Sequence, residues 1–322
     1  MLIIGASGFV GASIALAAAR QQDVVPLGCM RHPNNARAAA GVEYRTCDAT
    51  DAVALTRALQ GVTYAVNSVF GNQRTMLAVT RNLCVAARQL KLRRIVHISS
   101  MAVYGAVEGV VDEAAELRPN SRYAHAKAAC EAVVQAFISA GGDAVILRPA
   151  CVYGPGDEQW IGRFCRWLSA VRVGLLGELG EGYCNLTFNE DLGFAVLAAL
   201  TSAEAAGRTF NIADPEPGTW NEFFLKLGRE IGVRVPTISR LRISVETMLL
   251  APPLQMAKLA GRRLGFRPGL LPEPIPPSML PLWRQRMRLD CRNAYDTLQS
   301  QRTPLQEGLR LSAEWFRSTT GQ

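Results

Sequence analysis

Between Met1 and Pro149, six short apolar runs (MLII, DVVPL, VEYRT, YAVNSV, RIVHIS and AVILRP) alternate with helix-length segments such as GASIALAAARQQ, DAVALTRALQG, TRNLCVAARQLKL and AHAKAACEAVVQAFISAGG. Parallel strands cannot be joined by a two-residue turn; they need a crossover of about a dozen residues, usually helical. The alternation therefore predicts an α/β fold, a doubly wound parallel sheet covered by helices on both faces. After about residue 155 the rhythm changes. Helices such as WNEFFLKLGREIG follow longer irregular connections, and the proline-rich run GFRPGLLPEPIPPSMLP (265–281) excludes a continuous helix or a central strand.

The first strand leads into GASGFVGASIALAAAR, which sets Gly5, Gly8 and Gly11 between strand and helix. Glycines there permit a tight turn, let backbone approach a pyrophosphate and pack helix against strand, while the helix N-terminus favours negative charge. The sheet is thus expected to be of Rossmann type. The expected division is a dinucleotide-binding domain over 1–155, to which 185–213 returns, and a smaller, mostly helical substrate-binding region over 156–322.

Composition narrows the function classes. The net charge of +8 is carried mostly by arginine, since lysine occurs only at positions 91, 127, 226 and 258. The arginines are scattered, with no aromatic-interleaved basic stripe, so a nucleic-acid partner is not expected. Eight cysteines show neither CxxC nor paired spacing and read as reduced, buried thiols of a cytoplasmic protein. Met1 runs straight into an apolar strand without a charged leader region, and charge or proline interrupts the apolar stretches WIGRFCRWLSAVRVGLLG and ISVETMLLAPPLQMAKLA; no signal peptide or integral membrane segment is expected. No set of histidines, cysteines and carboxylates has metal-ligand spacing. His97 reads as a strand residue, His32 as a loop residue and His125 as lying off the Tyr123/Lys127 face.

In RYAHAK, Tyr123 and Lys127 stand four residues apart, which puts them on one face of a helix. A phenol with a free pKa near ~10 is a poor acid or base at neutral pH; a nearby ammonium stabilises its phenolate. RIVHISSMAVYG places Ser99 and Ser100 at the end of a strand, where the functional groups of doubly wound sheets gather.

The GxxGxxG spacing, the SSMAVYG stretch, the YxxxK pair, LRPACVYGPGD and FNEDLGFAVLAAL, in that order, resemble the extended short-chain dehydrogenase/reductase family, also described as the NAD-dependent epimerase/dehydratase family. The resemblance implies Tyr123 as general acid/base, Lys127 as the group that lowers its pKa and holds the nicotinamide ribose, and Ser100 as donor to the substrate oxygen. It further implies dinucleotide contacts at Gly5, Ser7, Gly8, Phe9, Gly11, Asp48, Ala49, Ser68, Pro149 and Val152. Asp48 matches an adenine-contacting aspartate, with capping of the next helix as the alternative. Where NAD-preferring members carry an acidic residue at the end of the second strand, the alignment falls on Gly28, followed by CMRHP; Arg31 would then suit a 2′-phosphate, and NADP is expected over NAD. The family's Asn-x-x-Gly-Thr is replaced by MLAVT (76–80). Members often dimerise through two helices, here 75–90 and 124–140.

For the reaction, the resemblance implies hydride exchange at a carbon bearing oxygen. SMAVYG lacks the acidic pair of the dehydratases. The apolar, proline-rich C-terminal half resembles 3β-hydroxysteroid dehydrogenase-like and dihydroflavonol reductase-like members, so an alcohol/ketone oxidoreductase with an apolar small-molecule substrate is expected. Two alternatives stay open. A nucleotide-sugar epimerase could use Arg163, Arg166 and Arg172 against a diphosphate, and a non-catalytic dinucleotide-binding protein would sense redox state or scaffold a complex.

Overall fold

The computed structural model describes residues 1–31, 41–263, 272–299 and 302–320. His32 and the first part of the proline-rich run fall outside them. Along the chain come β1 (Leu2–Ile4), α1 (Phe9–Ala19), β2 (Leu27–Met30), β3 (Glu43–Thr46), α2 (Ala52–Ala58), β4 (Tyr64–Asn67), α3 (Gln73–Gln89), β5 (Arg94–Ile98), β6 (Gly109–Val111), α4 (Arg122–Ser139), β7 (Ala144–Pro149) and β8 (Cys151–Tyr153). They are followed by α5 (Arg163–Ser169), β9 (Leu186–Phe188), α6 (Asn189–Thr201), β10 (Thr209–Ile212), α7 (Trp220–Glu230), α8 (Arg240–Ser244), α9 (Ala251–Arg263), α10 (Met279–Trp283), β11 (Met287–Leu289), α11 (Arg292–Leu298) and α12 (Leu305–Thr320).

The chain forms two compact units, one of residues 1–152, 186–215 and 289–303, the other of 153–185, 216–288 and 304–322. The first holds a seven-stranded sheet in the order β10-β7-β5-β4-β1-β2-β3, with its paired strands parallel. Successive strand residues serve opposite faces, as the pleat requires. Leu2, Ile4, Ala65, Ile95, Ala144 and Ile146 pack with Leu55, Leu83 and Phe137 of α2, α3 and α4. Ile3, Val66, Val96, Ile98, Val145 and Leu147 pack with Ile14, Val196 and Leu298 of α1, α6 and α11. Both layers are apolar, which is why these strands read as near-continuous apolar runs.

One strand differs from expectation. Of DVVPL only Leu27 enters β2, which continues to Met30. Pro26 has no N–H for a ladder, and Asp23 and Val25 are exposed.

A buried polar network ties α4 to the sheet. Arg148 on β7 donates to both carboxylate oxygens of Glu131 at 2.7–3.2 Å, and Ser99 donates to the same carboxylate. The other Arg148 nitrogen donates to the Tyr104 hydroxyl at 2.8 Å, and Tyr104 in turn donates to Asn211 on β10 at 2.7 Å. Glu131 and Arg148 are only 2% and 5% exposed, so neither charge is solvated if its partner is lost.

The second unit is mostly helical. Its core is an aromatic cluster in which Phe164 meets Trp167, Trp220, Phe223 and Phe224 at ring separations of 5.4–5.7 Å, and Trp283 continues it beyond Phe224. Capping of α7 by Thr219 and Glu222 fixes where the helix carrying Phe223 and Phe224 begins.

Removing one partner of a buried ion pair leaves the other uncompensated. Arg148→Met is therefore expected to cost about 3–5 kcal/mol in urea unfolding, and adding Glu131→Leu should recover part of that loss. A single-variant loss below about 1 kcal/mol would contradict the role given to the pair.

Candidate active site

The carboxyl ends of the parallel strands bring the expected residues together in the first unit. After β1, Gly5 adopts φ +88°, a left-handed value that side-chain-bearing residues avoid. A Cβ on Gly11 would stand 2.3 Å from the Gly5 carbonyl oxygen, so the start of α1 packs directly on the turn. Gly8 is the N-cap of α1 and no side chain caps the helix, leaving its first N–H groups available beside Ser7 and Phe9. Ser68, after β4, donates to the Ile4 carbonyl at 2.8 Å and closes the turn from the far side. A bare backbone cradle at an uncapped helix start suits a pyrophosphate.

Around the ends of β2 and β3 lie Arg31, exposed, Asp48, exposed, and Ala49, buried. Asp48 accepts from the Thr50 backbone and hydroxyl at 2.9 and 2.7 Å; it does not cap α2, a role that falls to Asp51. Gly28 lies inside β2 and not at its end. A Cβ there would meet the Tyr44 ring at 2.3 Å, so packing on β3 explains this glycine. Pro149 ends β7, and Val152 lies in β8.

Ser100, Tyr123 and Lys127 converge. Ser100 follows β5 and accepts from Ala102 N–H at 3.2 Å, which fixes the start of a short 3₁₀ turn, and its side chain lies close enough to the Tyr123 phenol to act on it. Ser121 caps α4 through Ala124 N–H, placing Tyr123 in the first turn of that helix. One turn on, the Lys127 ammonium lies 5.9 Å from the Tyr123 ring centre and donates to the Ile98 carbonyl at 2.7 Å.

Burial governs the electrostatics. It pushes the Tyr123 phenol above its ordinary value, against the opposing pull of the Ser100 hydrogen bond, with Cys151 adding to the rise. Burial likewise brings Lys127 down to about 8, partly offset by Cys130 and Glu131. His97, on β5 and 3% exposed, is held down to about 3 by burial and then by Lys127, so it is neutral beside the ammonium.

Two participants were not singled out from sequence. Phe70 packs on Tyr123 at 5.6 Å between ring centres and is 74% exposed. Glu131, one turn beyond Lys127, shares the Tyr123/Lys127 face of α4, a spacing that could have revealed it. The arginines 163, 166 and 172, in the second unit, are engaged internally: Arg163 and Arg166 with Glu273, Arg166 also with Glu158, and Arg172 with Glu246.

Fold and site together define a Rossmann-type chain with a serine–tyrosine–lysine grouping at the carboxyl edge of its sheet. The chain belongs to the NAD dependent epimerase/dehydratase family, whose model matches residues 1–213, and so to the extended short-chain dehydrogenase/reductase enzymes. It is 24% identical over 307 residues to 3beta-hydroxysteroid-dehydrogenase/decarboxylase isoform 2 of Arabidopsis thaliana, covering 87% of this chain, and 26% identical over 306 residues to isoform 1, covering 85%. It spans 53% and 67% of the length of those two relatives. In fold it is similar to UDP-glucuronic acid 4-epimerase from Bacillus cereus in complex with NAD, with a TM-score of 0.74 and 19% identity over 99% of this chain and 98% of that one.

The Lys127 pKa sets a stability signature. Because the folded value of about 8 lies below the free value of 10.5, the unfolded chain holds more protons between them, and stability rises with pH across that window. Lys127→Met removes a burial cost of about 3 kcal/mol. It should be more stable than the parent at pH 7 and lack the rise, both read from urea unfolding; an unchanged pH dependence would contradict the burial argument.

Proposed function

We propose that this protein is an NAD(P)-dependent oxidoreductase interconverting a secondary alcohol and a ketone on an apolar small molecule. The observation that carries the reading is the convergence of Ser100, Tyr123 and Lys127 on the same sheet edge as the glycine turn. In this reading the first unit binds the dinucleotide and the second selects the substrate. Gly5, Ser7, Gly8, Phe9 and Gly11 receive the pyrophosphate, Asp48, Ala49 and Ser68 flank the adenosine side, and Pro149 and Val152 border the nicotinamide. When bound, the nicotinamide supplies hydride exchange.

The chain's own groups manage the proton and the oxygen. Tyr123 gives a proton to the substrate oxygen or takes one from it, Ser100 donates a hydrogen bond to that oxygen, and Lys127 holds the nicotinamide ribose and favours the phenolate. Phe70 shields one side of the phenol. We assign NADP over NAD because Arg31 is exposed at the end of β2 and no residue of that strand, Leu27–Met30, is a carboxylate that would repel a 2′-phosphate.

Support for an apolar substrate comes from the second unit. A nucleotide diphosphate needs uncommitted cations, and Arg163, Arg166 and Arg172 each face glutamate. The names of the two plant relatives point the same way. A homodimer through α3 and α4, on which Val85 is exposed, is part of the same proposal.

Tyr123→Phe removes only the titrating hydroxyl. It is expected to reduce turnover by about 10²–10⁴-fold while leaving dinucleotide affinity nearly intact; unchanged turnover would remove Tyr123 from the chemistry. Arg31→Ala should weaken NADPH far more than NADH in calorimetric titration, and equal losses would end the case for NADP.

A further inference from the structure

In the second unit, α8, a π-helical turn over Val245–Leu250 and α9 follow one another without a break. One side is anchored. Ile243, Thr247 and Ala251 are fully buried, and Glu246 is paired with buried Arg172. The other side is bare: Leu241, Met248, Leu249, Leu250, Met256 and Leu259 are 43–76% exposed.

Single exposed apolar residues are ordinary, whereas a cluster marks an interaction surface. These six are concentrated in one stretch of 19 residues, while the other eight large apolar side chains exposed among the described residues are scattered over the rest. Leu241, Met248, Leu249 and Met256 recur at intervals of seven and eight, and Leu259 follows three residues later, the spacing of one helical face.

Charge selects the occupant. From Thr247 to Arg263, the end of α9, the sequence has no acidic residue but carries Lys258, Arg262 and Arg263. A second copy of the chain would bring these cations against their own kind, which opposes self-docking. An anionic lipid surface accepts both parts, the apolar side chains at the acyl boundary and the cations among the headgroups. None of the described helices is long and apolar enough to cross a bilayer, which leaves a helix lying in the interface plane.

We propose that the α8–α9 face docks the protein peripherally on an anionic lipid surface. The inference does not depend on the dinucleotide or on Tyr123. Its test is flotation of the full chain with vesicles of phosphatidylcholine alone, or of phosphatidylcholine with roughly one-third phosphatidylglycerol. The protein should float with the anionic vesicles at least about tenfold better than with the neutral ones, and release as salt rises from about 0.1 M to about 1 M. Leu249→Ser/Met256→Ser and, separately, Lys258→Glu/Arg262→Glu should each reduce partitioning about tenfold or more with thermal unfolding unchanged. Val53→Ser, on α2 in the first unit, should leave partitioning as it is. The charge-reversal variant carries the test if the apolar one fails to fold. Failure of the parent protein to float with anionic vesicles, or equal flotation with both kinds, overturns the proposal. So does a dimer that Leu249→Ser/Met256→Ser dissociates in a protein that ignores vesicles, since the face would then bind a second copy.

Discussion

The buried ion pair between Glu131 and Arg148 ties the helix that carries Tyr123 and Lys127 to the sheet. Two opposite charges withdrawn from water are costly unless geometry and further hydrogen bonds repay the desolvation. Here Arg148 meets the carboxylate through two nitrogens, Ser99 gives the carboxylate a third donor, and the remaining arginine nitrogen donates to the Tyr104 hydroxyl and the Glu113 carbonyl. Burial pushes Tyr104 up to about 12, so its hydroxyl stays protonated and passes a hydrogen bond to Asn211. The carboxyl ends of β5, β7 and β10 are thereby tied to α4. Tyr123 and Lys127 ride on that helix, two turns and one turn before Glu131, and Ser100 follows Ser99, so the same network positions the three proposed reacting groups.

Against that fixed frame, the site carries groups in states that water would not choose. Lys127 is buried with one carbonyl partner at 2.7 Å and a second at 3.5 Å, and neutral His97 stands next to it. Holding an ammonium there opposes folding, a cost the rest of the sheet must cover. What it provides is a cation one helical turn from a phenol whose ordinary value is too high for chemistry near neutral pH. The glycine turn follows a related logic. Stripping α1 of a side-chain cap forgoes a stabilising contact of about 1 kcal/mol and leaves N–H groups free to meet an anion.

Much of this was legible in sequence because it is local. Strands β4, β5 and β7 announce themselves by apolar runs, and Tyr123/Lys127 by a spacing of four. The boundary of β2 was misread because the apolar DVV precedes a proline and faces solvent, a pattern that hydrophobicity alone cannot separate from a strand. Asp48 and Asp51 compete for one capping role, and only backbone geometry assigns it to Asp51. Glu131 and Arg148 lie 17 residues apart on different elements, so no periodicity links them. Nor does sequence reveal that Arg163, Arg166 and Arg172 already have glutamate partners, two of them supplied by Glu273, about a hundred residues away.

As proposed, Tyr123 transfers the proton, and a bound cationic nicotinamide should loosen its hold on that proton. The direct measurement is a pH titration of tyrosine Cζ by NMR on ¹³C-labelled protein, with and without oxidised dinucleotide, Tyr123→Phe assigning the resonance. The phenol should titrate above its ordinary 10.0 in the protein alone and move downward when the cationic nicotinamide joins Lys127 beside it. A Tyr123 resonance indifferent to the dinucleotide would contradict the account.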